Sequence, residues 1–334
     1  MTLPSTQFSQ DTVLVAGGAG YIGSHIVAAL RRADRPVVVL DNLSTGHRWA
    51  VPAGVPLIMA DIADAQAVCD TVARFGVGVA IHCAALIQVG ESMRAPGRYW
   101  RANVGKTLAF TEALLRAGCS TLVFSSTAAV YGEPVYVPLD ESHPLAPNNV
   151  YGRTKLAVEQ MLDDCSRASE LRFAALRYFN AAGACASGEI GEAHPDESHL
   201  IPLVMRAALE QGPPLVIFGD DWDTADGTCV RDYVHVADLA DAHLAAVALL
   251  KDMPRLVCNL GSSQGFSVRQ VIAQVEQTTG RSVPVQVANR RLGDAAVLVA
   301  SNQVARSVLQ WEPARSSLEE IVASAWRWEQ NRPR

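Results

Sequence analysis

"TVLVAGGAGYIGSHIVAALRRA", residues 12–33, reads as strand, tight turn and helix. The run TVLVA is apolar and β-branched and stops at glycines. After the turn, apolar residues recur at helical spacing. The same alternation extends outward. "PVVVLD" (36–41) and "VPLIMAD" (55–61) read as strands, "AQAVCDTVARF" as a helix and "GVAIHCAA" (78–85) as a further strand. A long helix around 97–117, the strand "STLVFSS" (120–126), a helix over 149–168 and the strand "LRFAALRYFN" (171–180) follow. Continuously apolar strands separated by helices fit a parallel sheet covered on both faces. The fold class expected is therefore α/β, with a doubly wound parallel sheet over residues 11–180. Beyond Asn180 the stretch "AAGACASGEIGEAHPDESH" is small, polar and turn-rich. It marks the crossing into a smaller C-terminal α/β substrate domain, 181–334, some of whose segments return to the main sheet.

Composition narrows the function classes. With 334 residues, 49% of them hydrophobic, the chain can bury a large core. The balance of 28 Lys plus Arg against 34 Asp plus Glu gives a net charge of −6. No basic run breaks that mixture, so nucleic acid is not an expected partner. The first basic residue is Arg31, and no uncharged apolar stretch has membrane-spanning length, so a cytoplasmic protein with no membrane partner is expected. The seven cysteines (69, 83, 119, 165, 185, 229 and 258) form no CxxC pair and have no His at metal-ligand spacing. They are read as reduced thiols, and no metal is expected.

The glycines Gly17, Gly20 and Gly23 stand between the first strand and the first helix, and the second strand ends at Asp41. Glycines there allow close approach of a pyrophosphate to a helix N-terminus. An acid about twenty residues on can accept from an adenosine 2'-hydroxyl. A carboxylate in that position repels a 2'-phosphate, which favours NAD over NADP and makes the domain a Rossmann fold. Asp61 is placed at the adenine edge, its alternative being a cap for the helix near Ala65.

In "NNVYGRTKLAVEQ" (148–160), Tyr151 and Lys155 share one helix face. Such a pair either packs over a core edge or works as a base, the ammonium drawing the phenol down from its usual pKa of about 10.

With these motifs in register, the chain resembles the nucleotide-sugar epimerases of the extended short-chain dehydrogenase/reductase family. The likeness spans nearly the whole length, through "DNLSTG", "FSSTAAVYG", "NNVYGRTK", "RYFNAAGA", "HLIP", "GTCVRDYVHVADLADAH" and "RRLGD". The resemblance implies NAD-dependent 4-epimerisation of a UDP-hexose through a transient 4-keto sugar. Tyr151 would be the base, Lys155 its partner on the nicotinamide ribose, and Thr127 the hydroxyl on the proton path. The backbone and side chains of Tyr21, Ile22, Asn42, Ile62, Asn103, Ser125 and Tyr178 would complete the cofactor site.

For the UDP-sugar, the resemblance implies Asn180, His199 and Leu200 near diphosphate and sugar. Phe218 would lie by the uracil, Arg231 and Arg291 would clamp the phosphates, and Asp294 and Leu298 would follow in the same loop. Leu298 stands where the family faces the sugar 2-substituent, and its size and lack of a donor favour UDP-glucose and UDP-galactose over N-acetylated sugars. Ala102 and Ile87 depart from the family pattern, each removing one cofactor contact. A homodimer through the helices near 97–117 and 149–168 is also implied. Alternatives within the enzyme class are UDP-xylose/UDP-arabinose or UDP-GlcNAc as substrate. A dehydratase is disfavoured because Ala128 and Ala129 follow Thr127 where an acidic pair would be needed. A non-catalytic NAD-sensing protein is a further alternative, although it would usually have lost Tyr151 or Lys155.

Overall fold

The computed structural model describes residues 11–291 and 293–333. Its largest element is a sheet of seven parallel strands. From edge to edge these are Arg255–Leu260, Arg172–Tyr178, Thr121–Thr127, Val77–His82, Thr12–Ala16, Val37–Asp41 and Leu57–Met59. This is the expected doubly wound sheet. Strand order reverses between Thr12–Ala16 and Val77–His82, and the crevice beyond the carboxyl ends there is where such folds bind ligands.

Alternation along the first strand sorts its side chains to two cores. Val13 and Val15 pack with Ile26, Val27 and Leu30 of the helix Tyr21–Arg32 and with Leu239, Ala240 and Ala246 of the helix Val236–Leu249. Leu14 and Ala16 face the other way, onto Val68, Val72, Phe110, Leu114, Val158 and Leu162 from three further helices. The alanines of the Val236 helix let it lie closely against the Tyr21 helix.

Two expected elements take a different form, and one C-terminal strand returns to the main sheet as expected. The long helix near 97–117 is built as Pro96–Tyr99, a wide π-type turn over Trp100–Gly105, and Lys106–Arg116. The apolar run 171–180 leaves the main sheet after Tyr178. Asn180–Ala182 then pairs with Val230–His235 in a second, smaller sheet. Conversely, Arg255–Leu260 returns to the main sheet beside Arg172–Tyr178. Continuous hydrophobicity shows that a strand is buried, but not which sheet it joins.

Candidate active site

The glycine turn lies at the switch point. Gly17 has φ +79°, and a Cβ on it would come 2.6 Å from the Ala84 nitrogen; one on Gly23 would come 2.1 Å from the Gly17 carbonyl oxygen. Those two are required by the protein itself. Gly20 is different: its φ is −83° and the nearest atom to an added Cβ lies at 3.4 Å. Its missing side chain leaves open the approach to the N-terminus of the Tyr21–Arg32 helix, which has no side-chain cap. That cradle fits a pyrophosphate. Tyr21 and Ile22 contribute first-turn backbone. The Tyr21 hydroxyl is engaged elsewhere, donating to the Gly183 carbonyl at 2.6 Å, and Ile22 packs into the core.

Asp41 ends its strand nearly buried. It accepts from the Ala19 N–H at 2.9 Å and the Leu43 N–H at 2.8 Å, so the carboxylate is fixed beside the glycine turn with lone pairs to spare for a ribose hydroxyl. Replacing Asp41 with Ala should narrow the preference for NAD over NADP, with NAD binding weakened by about 1.5–3 kcal/mol for one lost charged hydrogen bond. Equal dissociation constants for each cofactor in mutant and wild type, by titration calorimetry, would refute this role. Asp61 lies close by, accepting from Asn42 Nδ2 at 3.1 Å and from Lys106 Nζ at 2.5 Å. Burial works against its ionisation, but the Lys106 ammonium holds the carboxyl below its usual range. The helix cap weighed for Asp61 is supplied by Asp64 instead, which accepts from the Ala67 N–H. Ile62 is buried in the core.

Asn103 is buried with its amide fully engaged. Its Oδ1 accepts from the Leu86 N–H, and its Nδ2 donates to the Leu86 carbonyl and to Thr154. It braces the loop after Val77–His82 against the Tyr151 helix, rather than presenting a free amide to a cofactor.

Tyr151 is the second residue of the helix Val150–Ala168, which is capped by Asn149 through the Gly152 N–H at 2.8 Å. A Cβ on Gly152 would sit 2.4 Å from the Ala129 carbonyl oxygen. Only glycine lets this helix approach the end of Thr121–Thr127 so closely, and the approach brings the Tyr151 phenol near enough to the Thr127 side chain for that hydroxyl to draw its pKa down. The Lys155 ammonium is buried; it donates to the Ser125 carbonyl at 2.7 Å, 4.7 Å from the Phe124 ring centre and 6.0 Å from that of Tyr151.

The electrostatics differ from the sequence expectation. Burial pushes the Tyr151 phenol up to about 12, partly offset by Thr127, and pushes the Lys155 ammonium down to about 8 against the pull of Cys83 and Glu159. Helical spacing puts the pair on one face but does not aim the ammonium, which here points at Ser125. Burial thus works against the phenolate, and only Thr127 works for it.

Tyr178 faces the core. Its hydroxyl lies 2.6 Å from both Ser125 Oγ and His243 Nε2, so it supports Ser125 from behind. Burial keeps His243 neutral, its pKa lowered to about 4.

Several of the residues that the resemblance assigns to the nucleotide sugar contact one another. Arg231 donates to the Ala295 carbonyl at 2.8 Å and lies 3.7 Å from Asp294. The Arg291 guanidinium stacks 4.0 Å over the Phe218 ring. Asn148 donates to the Gly293 carbonyl at 3.1 Å, joining this loop directly to the start of the Tyr151 helix. Leu298 pairs with Arg231 across two strands and packs beside a cluster of Val130, Tyr131, Leu139, Phe179 and Ala300. Asn180 donates to the Asp232 carbonyl at 2.9 Å, and Leu200 begins a helix over the smaller core. His199 stands apart from the two arginines in its bonding. Its Nδ1 is 2.5 Å from Glu192 and 3.4 Å from Glu197. Burial disfavours its protonation, yet the two carboxylates push its pKa up to about 10.

Several contributors carry no sequence signal of their own. These include Gly152, Lys106, Ser92, whose hydroxyl accepts from the Tyr151 N–H, and a buried network under the helix that carries Tyr151. In that network Arg177 bonds Glu159 at 3.0 and 2.6 Å and Tyr131 at 3.0 Å. Ser126 donates to the same Glu159 carboxylate, and Tyr131 donates to Asn259.

A UDP-glucose 4-epimerase of Halalkalibacterium halodurans is 48% identical over 322 residues, covering 96% of this chain and 96% of that protein. Among solved structures, the UDP-glucose 4-epimerase of Brucella ovis in complex with NAD superposes with a TM-score of 0.93 at 44% identity, covering 95% of this chain and 97% of that one. The UDP-glucose 4-epimerase of Bifidobacterium longum in complex with NAD+ and UDP gives a TM-score of 0.92 at 33% identity, covering 96% and 99%. A sequence model of the NAD dependent epimerase/dehydratase family matches residues 13–261, and with the glycine cradle, Asp41 and the Thr127–Tyr151–Lys155 arrangement in place, the chain belongs to that family.

Proposed function

We propose that this chain is a UDP-glucose 4-epimerase, interconverting UDP-glucose and UDP-galactose with NAD as a resident cofactor. Residues 11–180 supply the cofactor side and 181–334 the nucleotide-sugar side. The observation that carries the reading is the placement of Tyr151 and the buried Lys155 ammonium side by side on one helix at the switch-point crevice, with the loop of Arg291 and Asp294 tied through Gly293 to the start of the same helix. Bound NAD supplies a carrier that takes a hydride from the sugar C4 and returns it. Tyr151 takes the proton of the sugar 4-hydroxyl and gives it back, and Thr127 holds the phenol and the sugar oxygen in line. Lys155, poised by burial near about 8, orients the cofactor ribose and favours the phenolate once it is freed from Ser125. Arg231 and Arg291 offer positive charge to the diphosphate.

Glucose and galactose differ only in the configuration of the single hydroxyl at C4, so a hydride removed from that carbon and returned to it consumes no outside oxidant or reductant. Incubated with UDP-galactose alone, the purified protein should give UDP-glucose, and UDP-GlcNAc should turn over poorly beside Leu298, whose aliphatic side chain offers an acetamide no hydrogen bond. Strict dependence on an added redox partner would overturn the reading, and equal kcat/KM for the two sugars would overturn the part assigned to Leu298. Exposed Trp100 and Leu108 on the helical stretch 100–116 support a homodimer through that face. The unpaired cysteines support a reducing, cytoplasmic setting.

A further inference from the structure

The segment between Gly183 and Leu200 places four donor side chains within eight residues, in the order Glu192, His194, Glu197, His199. Their ligating atoms all lie within 4.8 Å of one another. His194 Nδ1 is 3.2 Å from Glu192 Oε1 and 3.6 Å from Glu197 Oε2, and His199 Nδ1 is 3.4 Å from Glu197 Oε1. Metal bonds of about 2.0–2.2 Å in a tetrahedron set ligand atoms roughly 3.3–3.6 Å apart. The three separations are of that size; the two to Glu197 reach different oxygens, so that carboxylate would turn to present one of them to both histidines. His199 Nδ1 to Glu192 Oε1, at 2.5 Å, would open by about 1 Å to reach it. The carboxylates are inside the protein, with side chains 5% and 1% exposed. Glu197 Oε2 is buried with no hydrogen-bond partner. A buried carboxylate oxygen without a hydrogen bond costs about 1–3 kcal/mol, and its nearest cationic partner, His194 Nδ1, stands beyond hydrogen-bond reach at 3.6 Å.

We propose that Glu192, His194, Glu197 and His199 bind one divalent transition-metal ion of the zinc class, which fastens the 183–199 segment against the cofactor turn. Two imidazole nitrogens with two carboxylate oxygens suit zinc or its neighbours and do not suit magnesium or calcium, which take oxygen ligands. The site runs counter to the absence of metal expected from the cysteines, because its ligands are His and Glu. Its effect would be felt at the cofactor turn. His194 meets the Tyr21 ring edge-on at 6.4 Å, the Tyr21 hydroxyl holds Gly183, and the neighbouring Ala193 carbonyl lies 2.7 Å from His47 Nε2. Gly20, Tyr21, His47, Ala193 and His194 line one recess. The ion would be structural. Because the family resemblance also places His199 near the diphosphate, the test reads metal binding and Tm rather than turnover, so its failure leaves the epimerase reading standing.

The test uses the full chain without a polyhistidine tag, stripped with EDTA, desalted and titrated with zinc sulfate. Expected are one zinc retained per chain after a second desalting, and a Tm raised by about 4 °C at a hundredfold excess over the dissociation constant. In His194→Gln and Glu197→Gln zinc should bind at least about tenfold more weakly. No retained zinc and an unchanged Tm would show that the four residues are only an ion-pair network and would overturn the proposal, as would undiminished binding in both variants. If neither variant folds, cobalt added to the stripped wild type decides. An intense visible band of tetrahedral cobalt supports the site, and a spectrum no different from aqueous cobalt overturns it.

Discussion

Replacing Tyr151 with Phe should lower kcat by at least ~10²–10⁴, the range of a lost general acid–base, with UDP and NAD binding close to wild type. The ring volume is kept and only the phenol hydroxyl is lost, so the substitution removes the proposed proton carrier and little packing. A buried phenol whose pKa is raised to about 12 is a poor base until the occupied site changes its surroundings. Lys155 is the group to supply that change, because its ammonium is buried within reach and held by the Ser125 carbonyl. Activity within about threefold of wild type, a barrier change of under 1 kcal/mol, would remove Tyr151 from the chemistry.

The second large effect concerns stability. Glu159 and Arg177 form a two-point ion pair whose side chains are 6% and 5% exposed. Glu159 lies one helical turn beyond Lys155, and Arg177 lies on the neighbouring strand. Glu159→Ala would leave the Arg177 guanidinium buried beside Tyr131 without its counter-charge, at an expected cost of about 3–5 kcal/mol, read from denaturant unfolding. Replacing both partners together, Glu159→Leu with Arg177→Met, should recover much of that loss, because no charge is then stranded. A cost below about 1 kcal/mol for Glu159→Ala would mean that water reaches the pair, and that the network does not hold the catalytic helix to the sheet.

What the sequence revealed and what it hid divide along physical lines. The strand–turn–helix at residues 12–33 and the acid at Asp41 were legible because backbone conformation and ligand approach demand particular residues at particular spacings. The helix bearing Tyr151 was legible for the same reason, its cap Asn149 being a cap residue by type. Sheet membership was not legible: Tyr178 and Asn180 are two residues apart in one apolar run, yet they belong to different sheets. The direction of the Lys155 ammonium depends on a carbonyl thirty residues away, which no local periodicity encodes. Asn103 shows the same limit, since a side chain expected at a cofactor has its hydrogen bonds taken by Leu86 and Thr154. In the polar crossing near 192–199 only His199 is singled out by the family resemblance, near the diphosphate, because the closeness of Glu192, His194, Glu197 and His199 exists only in the folded chain.

The central claim is that one carbon gives up a hydride and receives it again within a single closed site. Turnover of UDP-galactose deuterated at sugar C4 tests it most directly, with product followed by mass spectrometry and NMR in ordinary water. The account predicts that UDP-glucose forms with deuterium still on C4. Loss of the label to solvent would contradict it, because the C4 hydrogen would then have left as a proton.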